Sequence, residues 1–189
     1  MDIVEAIRAY VPGNEQEARD KEVMLRFLAE NDDAFQRTNL LAHMTSSAWV
    51  VNPARDKVLM VYHKIYDSWS WTGGHADGDR DLAAVALREV REETGVQSAR
   101  LVSDAILSLE ILTVDGHEKR GVYVPSHLHL NVTYLVEADE HDPLTVCEEE
   151  NSGVRWFSLD GALAASSEPW FVERIYRKLN EKLESADIM

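Results

Sequence analysis

Cysteine is nearly absent: Cys147 is the one thiol in 189 residues, so no internal disulfide framework can hold the chain. No apolar run reaches the length a membrane span requires, and the opening MDIVEAIRAY carries acids where a secretory signal carries bases. Positive charge is also scarce. Nineteen Lys and Arg stand against 34 Asp and Glu, for a formal net charge of −15. Such a field opposes nucleic-acid polymers and anionic membrane surfaces, and a phosphate-bearing ligand needs a compensating cation. These absences together lead to the expectation of a cytoplasmic protein with neither nucleic-acid nor membrane partners. A hydrophobic content of 45% over this length suits one globular domain with a small appendage.

Ile3, Val4, Ile7, Tyr10 and Val11 recur at helical spacing up to the PGN turn at 12–14, and EQEARDKEVMLRFLAEN resumes as a second helix. Residues 1–42 are therefore expected to form an N-terminal helical extension, and 43–189 the main domain. From Ser46 the β-rich runs SAWVVN and KVLMVYH, parted by PARD, predict a hairpin. Next come a glycine-bearing loop and a helix expected over about Arg80–Thr94, with Asp79 as N-cap and Gly95 as stop. Further strands are expected in DAILSLEILTV, HLHLNVTYLVEA and GVRWFSL, with DGHEKRGVYVPS irregular between the first two. The chain ends in an amphipathic helix striped by Phe171, Ile175, Leu179 and Leu183. The order predicts an α/β fold built on a mixed sheet.

The densest chemistry lies in WSWTGGHADGDRDLAAVALREVREETGV, residues 69–96. Helical spacing puts Glu89, Glu92 and Glu93 on one side, within reach of a shared point. On an exposed helix each like-charge pair costs only about 0.2–0.5 kcal/mol, so a solvated face compensated by Arg88 and Arg91 is one reading. The glycines ahead of the helix favour another. Backbone without side chains approaches a ligand closely and offers carbonyl oxygens, and carboxylates with carbonyls suit Mg2+ or Mn2+. A divalent ion lets an acidic protein hold an anionic diphosphate.

Gly74–Val96 resembles the Nudix box: Gly74, Arg88, Glu89, Val90, Glu92, Glu93, Gly95 and Val96 all fall in its register. The resemblance implies a Nudix-type α/β/α sandwich from about Ser46 to the C-terminal helix. It further implies hydrolysis of a nucleoside diphosphate derivative, a small-molecule substrate, by water attack on phosphorus with Mg2+ or Mn2+. On the same basis Glu89 and Glu93 resemble metal ligands, Glu92 a third ligand or the base, and Arg88 the arginine that orients them. The resemblance also implies that the carbonyl of Gly73 or Gly74 would join the coordination. Arg80 departs from the pattern by standing where the family has its first glutamate, flanked by Asp79 and Asp81. Family members often add an acid from a later loop, for which Glu150 is favoured among Glu148, Glu149 and Glu150, against a merely solvated loop.

Other residues carry weaker signals. His127 and His129 share a strand face, but with no partner motif nearby a zinc site is not expected, and hydrogen bonding to substrate is preferred. His75, Lys119 and Arg120 are candidates to meet phosphate, and Tyr66, Trp69, Trp71 and Tyr123 to stack on a base or to pack as core. Cys147 has no base partner and reads as inert. A non-catalytic nucleotide-sensing Nudix module is the alternative, prompted by Arg80. An isopentenyl-diphosphate isomerase-like enzyme is disfavoured by the lack of cysteine in DSWSWTGGH. The N-terminal helices suit a homodimer surface, a lid or simple packing equally.

Overall fold

The structure, a computed structural model, describes residues 2–119 and 121–184. Two helices come first. In α1 (Ile3–Ala9) the Asp2 carboxylate accepts the Val4 amide, and in α2 (Glu15–Glu30) the Asn14 side chain accepts the Glu17 amide. The central strand β1 (Ala42–Val51) is followed by β2 (Lys57–His63), β3 (Ser68–Ser70) and β4 (Thr72–His75). Helix α3 (Leu82–Thr94) leads to β5 (Arg100–Leu101), β6 (Ser108–Val114), β7 (His117–Lys119), β8 (Val122–Val124), β9 (His127–Glu137) and β10 (Asn151–Ser158). A short α4 (Leu159–Ala165) precedes the C-terminal helix, formed by Pro169–Phe171, a π-helical stretch Val172–Tyr176 and Arg177–Glu184.

The main sheet runs β10-β2-β1-β9-β5, with β3 added to β2, β4 to β1 and β6 to β9. It is mixed: β1 pairs parallel with β9 over its whole length, and its other partners are antiparallel. Successive side chains of a strand point to opposite faces. Ala42, Met44, Ala48 and Val50 of β1 enter one apolar layer with Ile3 and Ile7 of α1, Met24 of α2 and Val85, Ala86 and Val90 of α3. Trp49 and Val51 enter the other, against Ile175, Tyr176 and Leu179 of the C-terminal helix. Helices thus cover both faces, giving the expected α/β/α sandwich. No helix among the described residues is long and apolar enough to cross a membrane.

Several local expectations need correction. The sheet begins at Ala42 rather than Ser46, because polar His43 and Thr45 are strand residues paired with His129 and Asn131, which composition hides. The glycine stretch is strand β4, not loop: Ser46 pairs with Gly74 and Ser47 with Gly73. Helix α3 starts two residues later than expected, with Asp81 as its cap, since Asp79 Oδ1 takes the Asp81 amide in a turn of its own. The segment expected to be irregular contains the β7–β8 hairpin. Helix α4 and strand β5 were not anticipated from the sequence, both being too short for a clear period.

The N-terminal helices are tied in by charge as well as by apolar packing. Glu17 of α2 is fully buried, and its Oε1 lies 3.2 Å from Lys178 Nζ and 2.6 Å from Lys182 Nζ, both on the C-terminal helix. Lys178 also meets the buried Glu110 of β6 at 2.9 Å, and the Gly13 amide donates to Glu17 Oε2 at 2.7 Å. Alongside, Asp20 accepts the Ile111 amide, so α2 covers the outer edge of β6 that would otherwise invite another strand. Burial alone would raise the Glu17 carboxyl, but Lys178, Lys182 and the Gly13 amide outweigh it and hold it down at about 2.

Removing one partner of a buried ion pair leaves the other charge uncompensated. Glu17→Gln should lower the unfolding free energy by about 3 kcal/mol, read from urea denaturation at neutral pH. Because the folded pKa lies below the ordinary 4.5, this contribution is complete above that pH and disappears as pH falls towards 2. The gap between wild type and variant should therefore narrow in acid. An equal gap at all pH values would show that Glu17 contributes by shape alone.

Candidate active site

One face of β1 changes character along its length. Near its end Trp49 and Val51 are core, but near its start His43, Thr45 and Ser47 are polar, and β9 matches them with His129, Asn131 and Thr133. Asn131 Oδ1 accepts the Thr45 hydroxyl at 3.0 Å and the Ser47 hydroxyl at 2.9 Å. This polar strip floors an open cavity of about 970 Å³, walled by β4, by α3 and by the segment before β10.

The glycines of β4 let α3 approach. A Cβ on Gly74 would lie 2.4 Å from Glu89 Cδ, and one on Gly73 would lie 2.5 Å from Ser47 Oγ. Their function is close contact within a strand, not chain flexibility. At the other end of α3, Gly95 takes a left-handed φ of 77° and closes the helix through its amide to the Arg91 carbonyl.

Against this wall the structure brings together Glu89, Glu93 and Glu150, each offering an oxygen within 4.8 Å of the others. Glu93 is 5% exposed, and its Oε2 is buried with no hydrogen-bond partner. Burial, followed by the charges of Glu89 and Glu150, raises its pKa well above the usual carboxylate range, although the Gly73 amide opposes this. Burial, with Glu92 and Glu150, likewise pushes Glu89 up to about 7, against the pull of Arg88 and Arg37. Two carboxyls held this far from their preferred charge, one with an orphaned oxygen, are what an oxygen-binding cation relieves. The donor set fits Mg2+ or Mn2+.

Glu92 lines the same cavity but is exposed and lies outside this trio. Arg88 Nη1 is 3.6 Å from Asp79 and its Nη2 is 3.9 Å from Glu89 Oε1, bracing the start of α3 against the carboxylates. Arg80 does not line the cavity. Its guanidinium stacks over Phe35, 4.3 Å from the ring centroid, and reaches Asp2 at 3.6 Å. The position that departs from the Nudix pattern therefore fastens the box to the N-terminal segment.

His75 and His129 line the cavity, and His127 adjoins His129 on β9. Lys119 ends β7, and Arg120 lies outside the described residues. Trp71 is core, edge-on to Phe171 and Tyr176, and Trp69 packs on Tyr62 and Phe157. Tyr66 is 44% exposed at the cavity rim beside His63, while Tyr123 is exposed on the β7–β8 hairpin.

Sequence reasoning missed three contributors. Arg37 pairs with Asp77 through both guanidinium arms, with Nε 2.5 Å from Oδ1, and both residues line the cavity. His43 completes a group of four histidines with His75, His127 and His129. No local pattern joins residues so far apart in the chain: the β1–β9 and β1–β4 pairings gather the histidines, and a side-chain ion pair joins Arg37 to Asp77.

Comparison with known proteins agrees with this geometry. Residues 42–179 match the model of the NUDIX domain. The rat asymmetrical bis(5'-nucleosyl)-tetraphosphatase is 31% identical over 96 residues, 50% of this chain and 58% of that protein. The Xenopus laevis nucleoside diphosphate-linked moiety X motif 6 protein is 26% identical over 137 residues, 69% of this chain and 56% of that one. The chain thus spans less than two thirds of the length of these relatives. Among solved structures, a C. elegans Ap4A hydrolase binary complex superposes with a TM-score of 0.54 at 18% identity, covering 74% of this chain and 96% of that one. A MutT protein from Methanosarcina mazei Go1 gives 0.54 at 16% identity, covering 76% and 96%. These two likenesses concern the fold. With the box residues in register and the family model spanning most of the chain, the protein belongs to the Nudix family.

Proposed function

We propose that the protein is a metal-dependent hydrolase of a diphosphate linkage in a nucleoside diphosphate derivative or a similar small phosphorylated metabolite. The observation that carries this reading is the convergence of Glu89, Glu93 and Glu150 beside Gly74, with a buried carboxylate oxygen of Glu93 left without a partner. A nucleotide-type substrate is further supported by the relatives, whose names specify bis(5'-nucleosyl) tetraphosphates and nucleoside diphosphates.

Glu89, Glu93 and Glu150 would hold Mg2+ or Mn2+, with the Gly74 backbone close by. Bound there, a divalent ion neutralises phosphoryl oxygens and acidifies a water. The chain supplies the rest. Arg88, whose guanidinium reaches Glu89 at the cavity wall, would meet an incoming anion there, while Arg37 is held beside the cavity by Asp77. Glu92, exposed at the cavity, would accept the proton of the attacking water. Tyr66 at the rim offers a flat face to a base. Against the sensing-module reading, Arg80 is turned away from the cavity, so its presence removes nothing from the carboxylate group. Against the isomerase reading, the only thiol is that of Cys147, outside the β3–β4 region.

The test is product release from a panel of dinucleoside polyphosphates, nucleotide sugars, ADP-ribose and nucleoside triphosphates with Mg2+ or Mn2+. At least one should turn over, cease to do so with chelator, and lose at least about 10²-fold in kcat in Glu93→Gln, which keeps the side-chain volume. Turnover that survives both chelator and Glu93→Gln would overturn the reading, and nucleotide binding without turnover would favour a sensing module.

Gly74→Ala isolates geometry from charge, since it removes no carboxylate and displaces that of Glu89. A displacement of this size should cost about 10²-fold in kcat/KM, with the circular dichroism spectrum unchanged. Wild-type kinetics in this variant would mean that the approach of Glu89 to β4 is incidental.

A further inference from the structure

Four histidines from three strands meet on the polar strip, and the reaction above uses none of them as a ligand. His43 of β1 is paired in register with His129 of β9, His127 lies two residues earlier on the same face, and His75 comes from β4. One ring nitrogen from each lies within 4.8 Å of those of the others. The His43 ring centroid is 5.1 Å from that of His75, 4.9 Å from His127 and 5.1 Å from His129.

Their hydrogen bonds reveal the tautomers. His43 Nδ1 lies 3.0 Å from the Asn39 carbonyl, which can only accept, so Nδ1 carries the proton and Nε2 is bare. That Nε2 is buried, in a residue 4% exposed, and has no hydrogen-bond partner. His127 holds the same tautomer: Nδ1 donates to the Pro125 carbonyl at 2.8 Å, and its bare Nε2 accepts from His129 Nε2 at 3.1 Å, a hydrogen bond that a bound ion would replace. Backbone carbonyls behind two rings thus fix which nitrogen of each carries the lone pair, which is how metal-binding imidazoles are oriented. Burial, with His75, His43 and His127, pushes His129 down to about 2, and burial likewise lowers His43.

As a purely structural cluster this is unfavourable, because a buried acceptor without a donor costs about 1–3 kcal/mol. We infer that His43, His75, His127 and His129 bind a divalent transition-metal ion, zinc in the first instance, at a site distinct from the carboxylates of α3. Imidazole suits zinc, copper, nickel and iron, whereas magnesium selects oxygen. Tetrahedral zinc with bonds of about 2.0–2.1 Å sets its nitrogens about 3.4 Å apart, and the His127–His129 pair already stands at 3.1 Å. One ring nitrogen of each of the four lies within 4.8 Å of the others. Four neutral ligands leave the ion's charge intact. His75 and His129 line the cavity, so that charge faces the anion-binding space. The site stands whether or not the carboxylates hydrolyse a diphosphate.

The full-length protein, stripped with chelator, is titrated with Zn2+ in millimolar Mg2+ and no nucleotide. One zinc should bind per chain, and Co2+ should give the visible absorption of a tetrahedral nitrogen site. In wild-type protein, long-range proton–nitrogen spectra should show the His43, His127 and His129 Nε2 resonances moving to metal-bound positions. His43→Asn and His129→Asn should each weaken zinc at least about 10²-fold, whereas Glu89→Gln/Glu93→Gln should keep it while losing turnover. No zinc bound in the presence of Mg2+, unmoved imidazole nitrogens, or loss of zinc only in the glutamate double variant would overturn the proposal. Turnover retained in the glutamate double variant, with the zinc count unchanged, would count against the hydrolase reading and leave the histidine site standing.

Discussion

The parallel pairing of β1 with β9 is the constraint on which the rest depends. It joins Ala42–Val51 to 128–137 without a register shift, so the alternation of one strand is matched by that of the other. One set of side chains builds the apolar layer under α1, α2 and α3. The other set is divided along its length: Trp49, Val51 and Leu135 carry the C-terminal helix, while His43, Thr45 and Ser47 face His129, Asn131 and Thr133. A slip of one residue would turn the apolar set into the cavity and the imidazoles into the core. The same register that secures folding therefore positions the polar floor of the site.

Two sets of buried charges on this frame show opposite logic. Glu17 is surrounded by Lys178, Lys182 and the Gly13 amide, and its charge is satisfied within the protein. That satisfaction binds α2, β6 and the C-terminal helix together. Glu93 is nearly as buried but is given only the Gly73 amide and the repulsion of Glu89 and Glu150. A fold stabilised only for itself would have placed a lysine there, as it did for Glu17. The contrast within one chain marks the Glu89–Glu93–Glu150 group as a place where charge has been left for a ligand to complete.

What could be read from the sequence was what local spacing encodes. The helical period placed Glu89, Glu92 and Glu93 on one side of α3, and the stripe Phe171, Ile175, Leu179 and Leu183 gave the C-terminal helix its buried face. Alternation found most of β1, β2, β9 and β10. Local spacing failed where a residue's partner is distant or its backbone has two uses. Gly73 and Gly74 suggested a loop because glycine is permissive in turns, yet here they serve a strand pressed against α3 and β1. Arg80 looked like damage to the box until Phe35 and Asp2 were seen beside it, 45 and 78 residues earlier in the chain. His43 gave no signal at all, since its relation to His75 and His129 exists only across strands.

Strand β4 shows how little chain is needed to keep two kinds of donor apart. Gly74 and His75 are consecutive, so their substituent directions point to opposite sides. The bare Gly74 side is filled by the Glu89 carboxylate, whereas the His75 ring joins His43 and His129. Oxygen and nitrogen donors are thereby delivered to neighbouring regions of one cavity without mixing, and hard and borderline cations select between them by ligand chemistry. In a protein of net charge −15, an anionic substrate is attracted only where cations or arginines are concentrated. The pleat of a four-residue strand, set in register by β1, is what sets the carboxylate group and the histidine group side by side.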